Sequence, residues 1–266
     1  SSGARLHAII DNTVTVLCCT PTYALRLAEV SREEHLDLRT SKLRRILVAG
    51  EPGGSIPGTR ALIEAVWPGA KVFDHHGMTE IGPVSYECPR RACVLHVLET
   101  SYLAEVIDPS NGHAVAPGGM GELVLTALGR TGSPLLRYRT GDLVKRSPAQ
   151  VCACGSCELA LEGGILGRAD DMLVVRGVNV HPGAVEEVVR ASGEVAEFRV
   201  TAGTARQMAE LRIEIEPVAG CTDAQAVARR LEERLRAVFS LRMPVRGAPG
   251  GALPRFEMKA RRWVKE

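Results

Sequence analysis

Three short apolar runs, each leading into a polar, glycine-bearing turn, constrain the first third of the chain most strongly. They are Val14-Thr15-Val16-Leu17-Cys18-Cys19, Ile46-Leu47-Val48-Ala49 and Lys71-Val72-Phe73-Asp74-His75-His76. Continuous rather than alternating apolarity predicts strands covered on both faces. Between them, Tyr23 through Val30 carries a helical pattern. A second helix is expected from Ser55, as its N-cap, through Pro57 in the first turn to about Val66. Strand–helix–strand–helix–strand in so little chain implies a parallel sheet, whose ligands gather beyond the carboxyl ends of its strands. Gly50-Glu51-Pro52 and His75 through Glu80 stand at those ends.

The pattern then changes. Leu103–Ile107 and Gly121–Thr126 read as strands joined through the turn Asp108-Pro109-Ser110-Asn111-Gly112, so an antiparallel layer follows. From about residue 167 the chain reads as a small α+β unit. Met172–Val175, Phe198–Val200 and Leu211–Ile213 are its strands, His181-Pro182-Gly183 opens one helix, and Thr222–Phe239 forms a longer one. In that longer helix Ala224, Val227, Ala228, Leu231, Leu235 and Val238 fall on one stripe. The fold class is therefore α/β: a mainly parallel sheet with helices plus an antiparallel β subdomain, then a small α+β C-terminal domain. The expected divisions are residues 1–166, a hinge at 167–171, and 172–266.

Composition narrows the function classes. With 266 residues, 45% of them hydrophobic, the chain can bury a core. A net charge of +2 and 4% aromatic residues give little for phosphate backbones or stacked bases, so nucleic acid is not an expected partner. No apolar stretch approaches the ~20 residues of a membrane helix, and Ser1-Ser2-Gly3-Ala4-Arg5 does not begin a signal peptide, so a cytoplasmic protein without a membrane is expected.

Arg137-Tyr138-Arg139-Thr140-Gly141-Asp142, Gly167-Arg168-Ala169-Asp170-Asp171 and Lys259 are each weak signals alone. In order, and with His76-Gly77-Met78-Thr79-Glu80, they resemble the acyl-adenylate-forming superfamily. Within it, the phenylacetate–CoA ligase-like branch is indicated by Thr20-Pro21-Thr22-Tyr23-Ala24-Leu25, Ala49-Gly50-Glu51-Pro52, Arg176-Gly177-Val178-Asn179-Val180 and Leu253-Pro254-Arg255. The resemblance covers essentially the whole chain. It implies an AMP-forming ligase that joins a carboxylic acid to coenzyme A through an acyl-AMP, using ATP and Mg²⁺.

Carried onto this sequence, Gly50, Glu51 and Pro52 form part of the adenine wall. His76 stands where the family usually has a tyrosine against the adenine, and Gly77 and Met78 continue that motif. Thr79 bonds the phosphate, Glu80 holds Mg²⁺, Asp142 accepts the ribose hydroxyls, and Arg168 also lies at the nucleotide. Asp170 matches the hinge. Lys259 matches the mobile lysine of adenylation, with Met258 before it in place of the branch's glycine. Thr20 through Tyr23 and His75 are expected at the acid pocket, with an aromatic acid as the family-level substrate and a homodimer as the commonest closed assembly. Taken singly, Asp142 also fits a turn residue, Lys259 a basic tail, His75 and His76 a hydrogen-bonded pair without a ligand, and Glu80 a helix cap.

The superfamily's phosphate loop, Ser/Thr/Gly-rich with a lysine, is not in the sequence; Gly50 through Ser55 has neither the lysine nor the Walker spacing. A fragment of a longer ligase, or a short form, is expected. The alternative is a catalytically impaired, zinc-stabilised module that binds AMP or acyl-adenylate.

Five of the eight cysteines fall between residues 88 and 157. Cys88, His96, Cys152 and Cys154 make a three-thiolate, one-imidazole set suited to structural Zn²⁺, with Gly155 free to take positive φ in a tight knuckle. Similar positions look like a metal site remote from catalysis in the phenylacetate–CoA ligase-like branch. Cys93 and Cys157 compete for the same role, and reduced, unligated cysteines are the alternative.

Overall fold

The computed structural model describes residues 1–205, 208–257 and 259–266; Met258 lies outside them. The chain divides into two compact units, Ser1–Asp170 and Asp171–Glu266, the first ending at Asp170.

The first unit opens with α1 (Ser2–Asp11), β1 (Val16–Cys19), α2 (Pro21–Glu33), β2 (Arg45–Val48), α3 (Pro57–Val66) and β3 (Lys71–Asp74). The strands form a parallel sheet in the order β1-β2-β3, with Cys18 opposite Leu47 and Leu47 opposite Phe73. Helix α2 starts immediately after β1 because Thr20 caps it, accepting Tyr23 N–H, and Pro21 sits at N1, where its missing N–H costs nothing. The core of this layer gathers Leu6, Tyr23, Leu27, Ile46, Ile63 and Trp67, all buried. The Trp67 indole donates to the Ala24 carbonyl at 2.9 Å, so its one polar atom is satisfied inside that core.

Ser55 does not cap α3. Ile56 holds the N-cap position without a side-chain bond, and the Ser55 hydroxyl donates to Asp74 instead. The partly buried carboxylate at the end of β3 outcompetes the helix terminus for this donor, since a charge-assisted bond is the stronger one.

The chain then makes β4 (Gly77–Met78), β5 (Gly82–Pro83), β6 (Ser85–Glu87), β7 (Val94–Val97), β8 (Tyr102–Ile107), β9 (Met120–Ala127), β10 (Tyr138–Arg146) and β11 (Ala160–Arg168). β4 and β5 form a small hairpin. The remaining six form an antiparallel sheet in the order β6-β7-β11-β10-β9-β8, twice as many strands as the parallel one. Its core includes Val84, Leu95, Leu123, Leu125, Val144 and Leu161, each worth about 1.5–3 kcal/mol when fully buried.

The second unit contains β12 (Leu173–Val175), β13 (Val178–Val180), α4 (Pro182–Ala191), β14 (Val195–Ala205), β15 (Met208–Pro217), α5 (Ala224–Phe239), β16 (Val245–Gly247) and β17 (Trp263–Lys265). β12 and β13 form a hairpin; the other four strands form a sheet in the order β16-β15-β14-β17. Asp223 caps α5, accepting Ala226 N–H, and the helix buries Val227, Ala228, Leu231 and Leu235. Val238 departs from the expected stripe and is 61% exposed. It lies one residue before the helix ends at Phe239, which packs against the core in its place.

Among the described residues, no helix is long and apolar enough to cross a membrane.

Candidate functional site

The loops at the carboxyl ends of the parallel strands meet the antiparallel sheet in one place. The His75 N–H donates to the Val48 carbonyl, extending the β2–β3 pairing by one residue. His76 then turns toward the second sheet. Its backbone N–H donates to Ser85 Oγ at 3.0 Å, and its carbonyl accepts from Val84 and Ser85. The backbone is thereby fixed, and His76 Nε2 lies 3.0 Å from Asp142 Oδ2, joining residues 66 positions apart.

Asp142 sits on β10, buried, directly opposite Arg168 on β11. It is a strand residue, not a turn. The Asp142 N–H donates to Thr140 Oγ1, whose hydroxyl donates to the Leu123 carbonyl. The second carboxylate oxygen, Oδ1, lies 3.6 Å from Arg168 Nη1, and Arg168 Nε donates to Asp170 Oδ1 at 3.0 Å. Gly141 allows this approach: its φ is 75°, and a Cβ there would stand 2.7 Å from an Arg168 guanidinium nitrogen. His76, Asp142, Arg168 and Asp170 thus form one chain of polar contacts, with a carboxylate whose two oxygens face two different basic groups.

Gly50, Glu51 and Pro52 occupy the loop after β2. The Glu51 carboxylate accepts the Thr22 N–H at 2.8 Å, placing a negative charge at the start of α2, where the helix dipole favours it. This bond ties the loop to the Thr20–Tyr23 motif. Gly77 and Met78 form β4, and Met78 packs against the antiparallel core. Thr79 and Glu80 are exposed in the turn between β4 and β5; no helix follows for Glu80 to cap. Lys259 belongs to the second unit and is exposed.

A group that sequence reasoning passed over supports this site from below. Asp74 accepts the Ser55 hydroxyl at 2.5 Å, and its N–H donates to Glu87 Oε2. Glu87 is buried and held by both terminal nitrogens of Arg60, which also donates to the Gly54 and Val72 carbonyls. Glu87 Oε1 further accepts the Cys93 N–H. Burial, reinforced by the nearby Glu87 charge, pushes the Asp74 carboxyl up to about 6, against the opposing pull of Ser55 and Arg60. The signal available in the sequence was an acidic residue ending an otherwise apolar strand, just before His75-His76.

The cysteine cluster is separate. Cys88 Sγ and Cys152 Sγ are 3.7 Å apart, and Cys154 Sγ is 3.4 Å from His96 Nε2. All four donor atoms lie within 4.8 Å of one another. Zn–S and Zn–N bonds of about 2.0–2.3 Å set tetrahedral donor separations of roughly 3.3–3.8 Å, so the set is close to that geometry. Cys93 and Cys157 are outside this group. The knuckle closes through Gly155, at φ 90°, with Gly155 N–H on the Cys152 carbonyl and Cys152 N–H on the Ser156 carbonyl. The Cys154 backbone N–H leads the influences that hold the Cys152 thiol down at about 6, whereas burial raises Cys88. His96 is fully buried, its Nδ1 without a hydrogen-bond partner among the described residues.

Comparison with known proteins gives two family matches: AMP-binding enzyme over residues 2–129, and AMP-binding enzyme C-terminal domain over residues 177–266. A phenylacetate-coenzyme A ligase of Thermus thermophilus is 34% identical across 95% of this chain and 60% of its own length. One from Pseudomonas putida is 30% identical across 96% and 58%. The chain therefore spans about 60% of the length of the curated relatives it matches. The crystal structure of 2-hydroxyisobutyryl-CoA ligase in the postadenylation state, in complex with R3-HIB-AMP, superposes with a TM-score of 0.93. That likeness comes at 31% identity, covering 100% of this chain and 57% of the other.

Proposed function

Because the chain belongs to the acyl-adenylate-forming superfamily and is phenylacetate–CoA ligase-like, we propose that it takes part in AMP-forming ligation of a small carboxylic acid to coenzyme A. The observation that carries this reading is the contact between His76 and Asp142, which ties the motif after β3 to the motif on β10 around one carboxylate.

A carboxylate is a poor electrophile, and ATP supplies the leaving group it lacks. One carboxylate oxygen of the acid attacks the α-phosphorus, the bond to the pyrophosphate oxygen breaks, and acyl-AMP results. The coenzyme A thiol, losing its proton, then attacks the acyl carbon and AMP departs. The residues contribute position and charge rather than covalent chemistry. Asp142 accepts the ribose hydroxyls, its oxygens oriented beforehand by His76 and Arg168. Gly50, Glu51 and Pro52 line the adenine on one side, and the His76 imidazole replaces the family's phenol ring with less stacking area. Thr79 donates to the α-phosphate, and Lys259 bridges the acid carboxylate and the phosphate during adenylation. Asp170 is the hinge about which the second unit reorients between the two half-reactions.

Glu80 offers a hard carboxylate oxygen in a solvent-exposed turn, which suits Mg²⁺; the ion neutralises phosphate charge when bound. Cys88, His96, Cys152 and Cys154 would hold Zn²⁺ in a structural role, since three thiolates and one imidazole supply a complete set of protein donors. The acid is aromatic in this reading, after the phenylacetate ligases the chain resembles.

The test is magnesium-dependent exchange of pyrophosphate into ATP, stimulated by a carboxylic acid from a panel of aryl and short acyl acids. The expected result is acid-dependent exchange that Lys259→Ala reduces by at least about 100-fold, the scale of losing one positioned transition-state charge. AMP binding without exchange for any acid would favour a nucleotide-binding module instead.

A further inference from the structure

Lys259 follows the Leu253-Pro254-Arg255 motif on the segment that crosses from β16, at one edge of the second unit's sheet, to β17, at the other edge. In crossing, it passes over the two central strands, β14 and β15. These present two glutamates, Glu197 and Glu216, directly opposite each other in the antiparallel register. Both are buried, at 5% and 1% exposure. Like charges facing across a ladder are destabilising, and a buried carboxylate without a partner more so.

The crossing segment supplies the partners. Arg255 Nη2 donates to Glu216 Oε2 at 2.6 Å, and the Leu253 N–H donates to Glu216 Oε1. On the other side, Arg262 donates to Glu197 through Nε at 2.6 Å and Nη2 at 3.1 Å, in a two-pronged fork. The Arg262 guanidinium also lies 5.3 Å from the centre of the Phe198 ring, and Arg190 of α4 approaches that ring at 5.2 Å. Burial alone would raise both carboxylates, yet their arginine partners hold them below the ordinary glutamate value. The flanking arginines therefore do not form a loose basic tail. They hold the chain at Arg255 on one side of Lys259 and at Arg262 on the other, and Lys259 is exposed.

We propose that Glu216 and Glu197 are positioning residues for Lys259: two buried carboxylates, paired with Arg255 and Arg262, hold both ends of the lysine-bearing segment against the sheet. This rests on the reading of Lys259 as the adenylation lysine. Anchoring shortens the segment's search for the productive geometry, so its loss lowers turnover rather than ground-state affinity.

The test uses the full chain and Glu216→Gln, which keeps the shape and an acceptor for Leu253 N–H but removes the charge. Amide hydrogen exchange over residues 253–262 should accelerate by about tenfold or more, with α5 and the centre of β14 protected as in wild type. Pyrophosphate exchange should lose about tenfold in turnover, with the KM values for acid and ATP within about twofold. Arg255→Lys, which preserves the charge opposite Glu216, should keep most of the protection and of the turnover. Unchanged amide exchange in 253–262, or faster exchange with full turnover, overturns the proposal. If Glu216→Gln fails to fold, Glu197→Gln is read in the same way. Adenylation that survives Lys259→Ala overturns the reading of Lys259 itself, whatever the glutamate variants do.

Discussion

Two of the polar constellations in the first unit, the cysteine cluster and the His76–Asp142–Arg168 cluster, are built on opposite plans. The cysteine cluster is closed: four soft or borderline donors converge within 4.8 Å, and Cys88, His96 and Cys152 are buried. The His76–Asp142–Arg168 cluster is open. Asp142 has two oxygens facing two basic groups, Arg168 is half-exposed, and the adjoining Thr79 and Glu80 reach solvent. A closed set of thiolates has bonding capacity only for a metal ion; an open set of hydrogen-bonding groups retains capacity for a ligand that comes and goes.

The contrast is broken most severely at the knuckle. Cys152→Ser should lower bound zinc from one per chain to near zero by elemental analysis. It should also cut stability by more than about 3 kcal/mol in denaturant unfolding, because metal affinity contributes directly to folding there. Zinc retained at one per chain would assign the metal to other ligands, or the four residues to plain packing.

A smaller effect sharpens the comparison at the support of the open site. The folded-state pKa of Asp74, about 6, lies above its ordinary 3.8. Its contribution to stability is therefore fully present below about pH 4 and lost as the pH rises through 6. Asp74→Asn, which can still accept from Ser55, should gain on wild type across that window by on the order of 2–3 kcal/mol. Thermal unfolding of both proteins from pH 4 to 8 checks this. A difference that stays flat with pH would mean Asp74 is not the group that titrates. The smallest effect is expected at Cys157, exposed and outside the four donors: Cys157→Ser should keep its zinc and change stability by less than about 0.5 kcal/mol.

How far these features could be read in the sequence follows from the range of the interactions that make them. The parallel strands, α2 and α3 were legible because apolar runs, the helical spacing from Tyr23 to Val30 and Pro57 are local signals. The same holds for Gly155, whose positive φ is a property of its own knuckle. Cys88, His96, Cys152 and Cys154 could be named as the favoured candidate donors over Cys93 and Cys157, but their convergence needed the fold, since 63 residues lie between Cys88 and Cys152. Ser55 shows the opposite failure. Its local pattern is that of a helix cap, and only the arrival of Asp74 from a neighbouring strand redirects its hydroxyl. Val238 failed for a related reason: helical periodicity continues to the last turn on paper, but Phe239 covers the core there. Glu197 and Glu216 carried no signal at all, because alternating strand residues give no hint that arginines from a later segment will neutralise them.

The central claim is that His76 and Asp142 meet around one nucleotide, and calorimetric titration of AMP into wild type and Asp142→Ala tests it most directly. Wild type should bind one AMP per chain, and the variant should bind at least about tenfold more weakly, the equivalent of roughly 1.4 kcal/mol for a lost charge-assisted bond, with its melting temperature little changed. Equal affinity in the two proteins would contradict the claim and place the nucleotide away from this carboxylate.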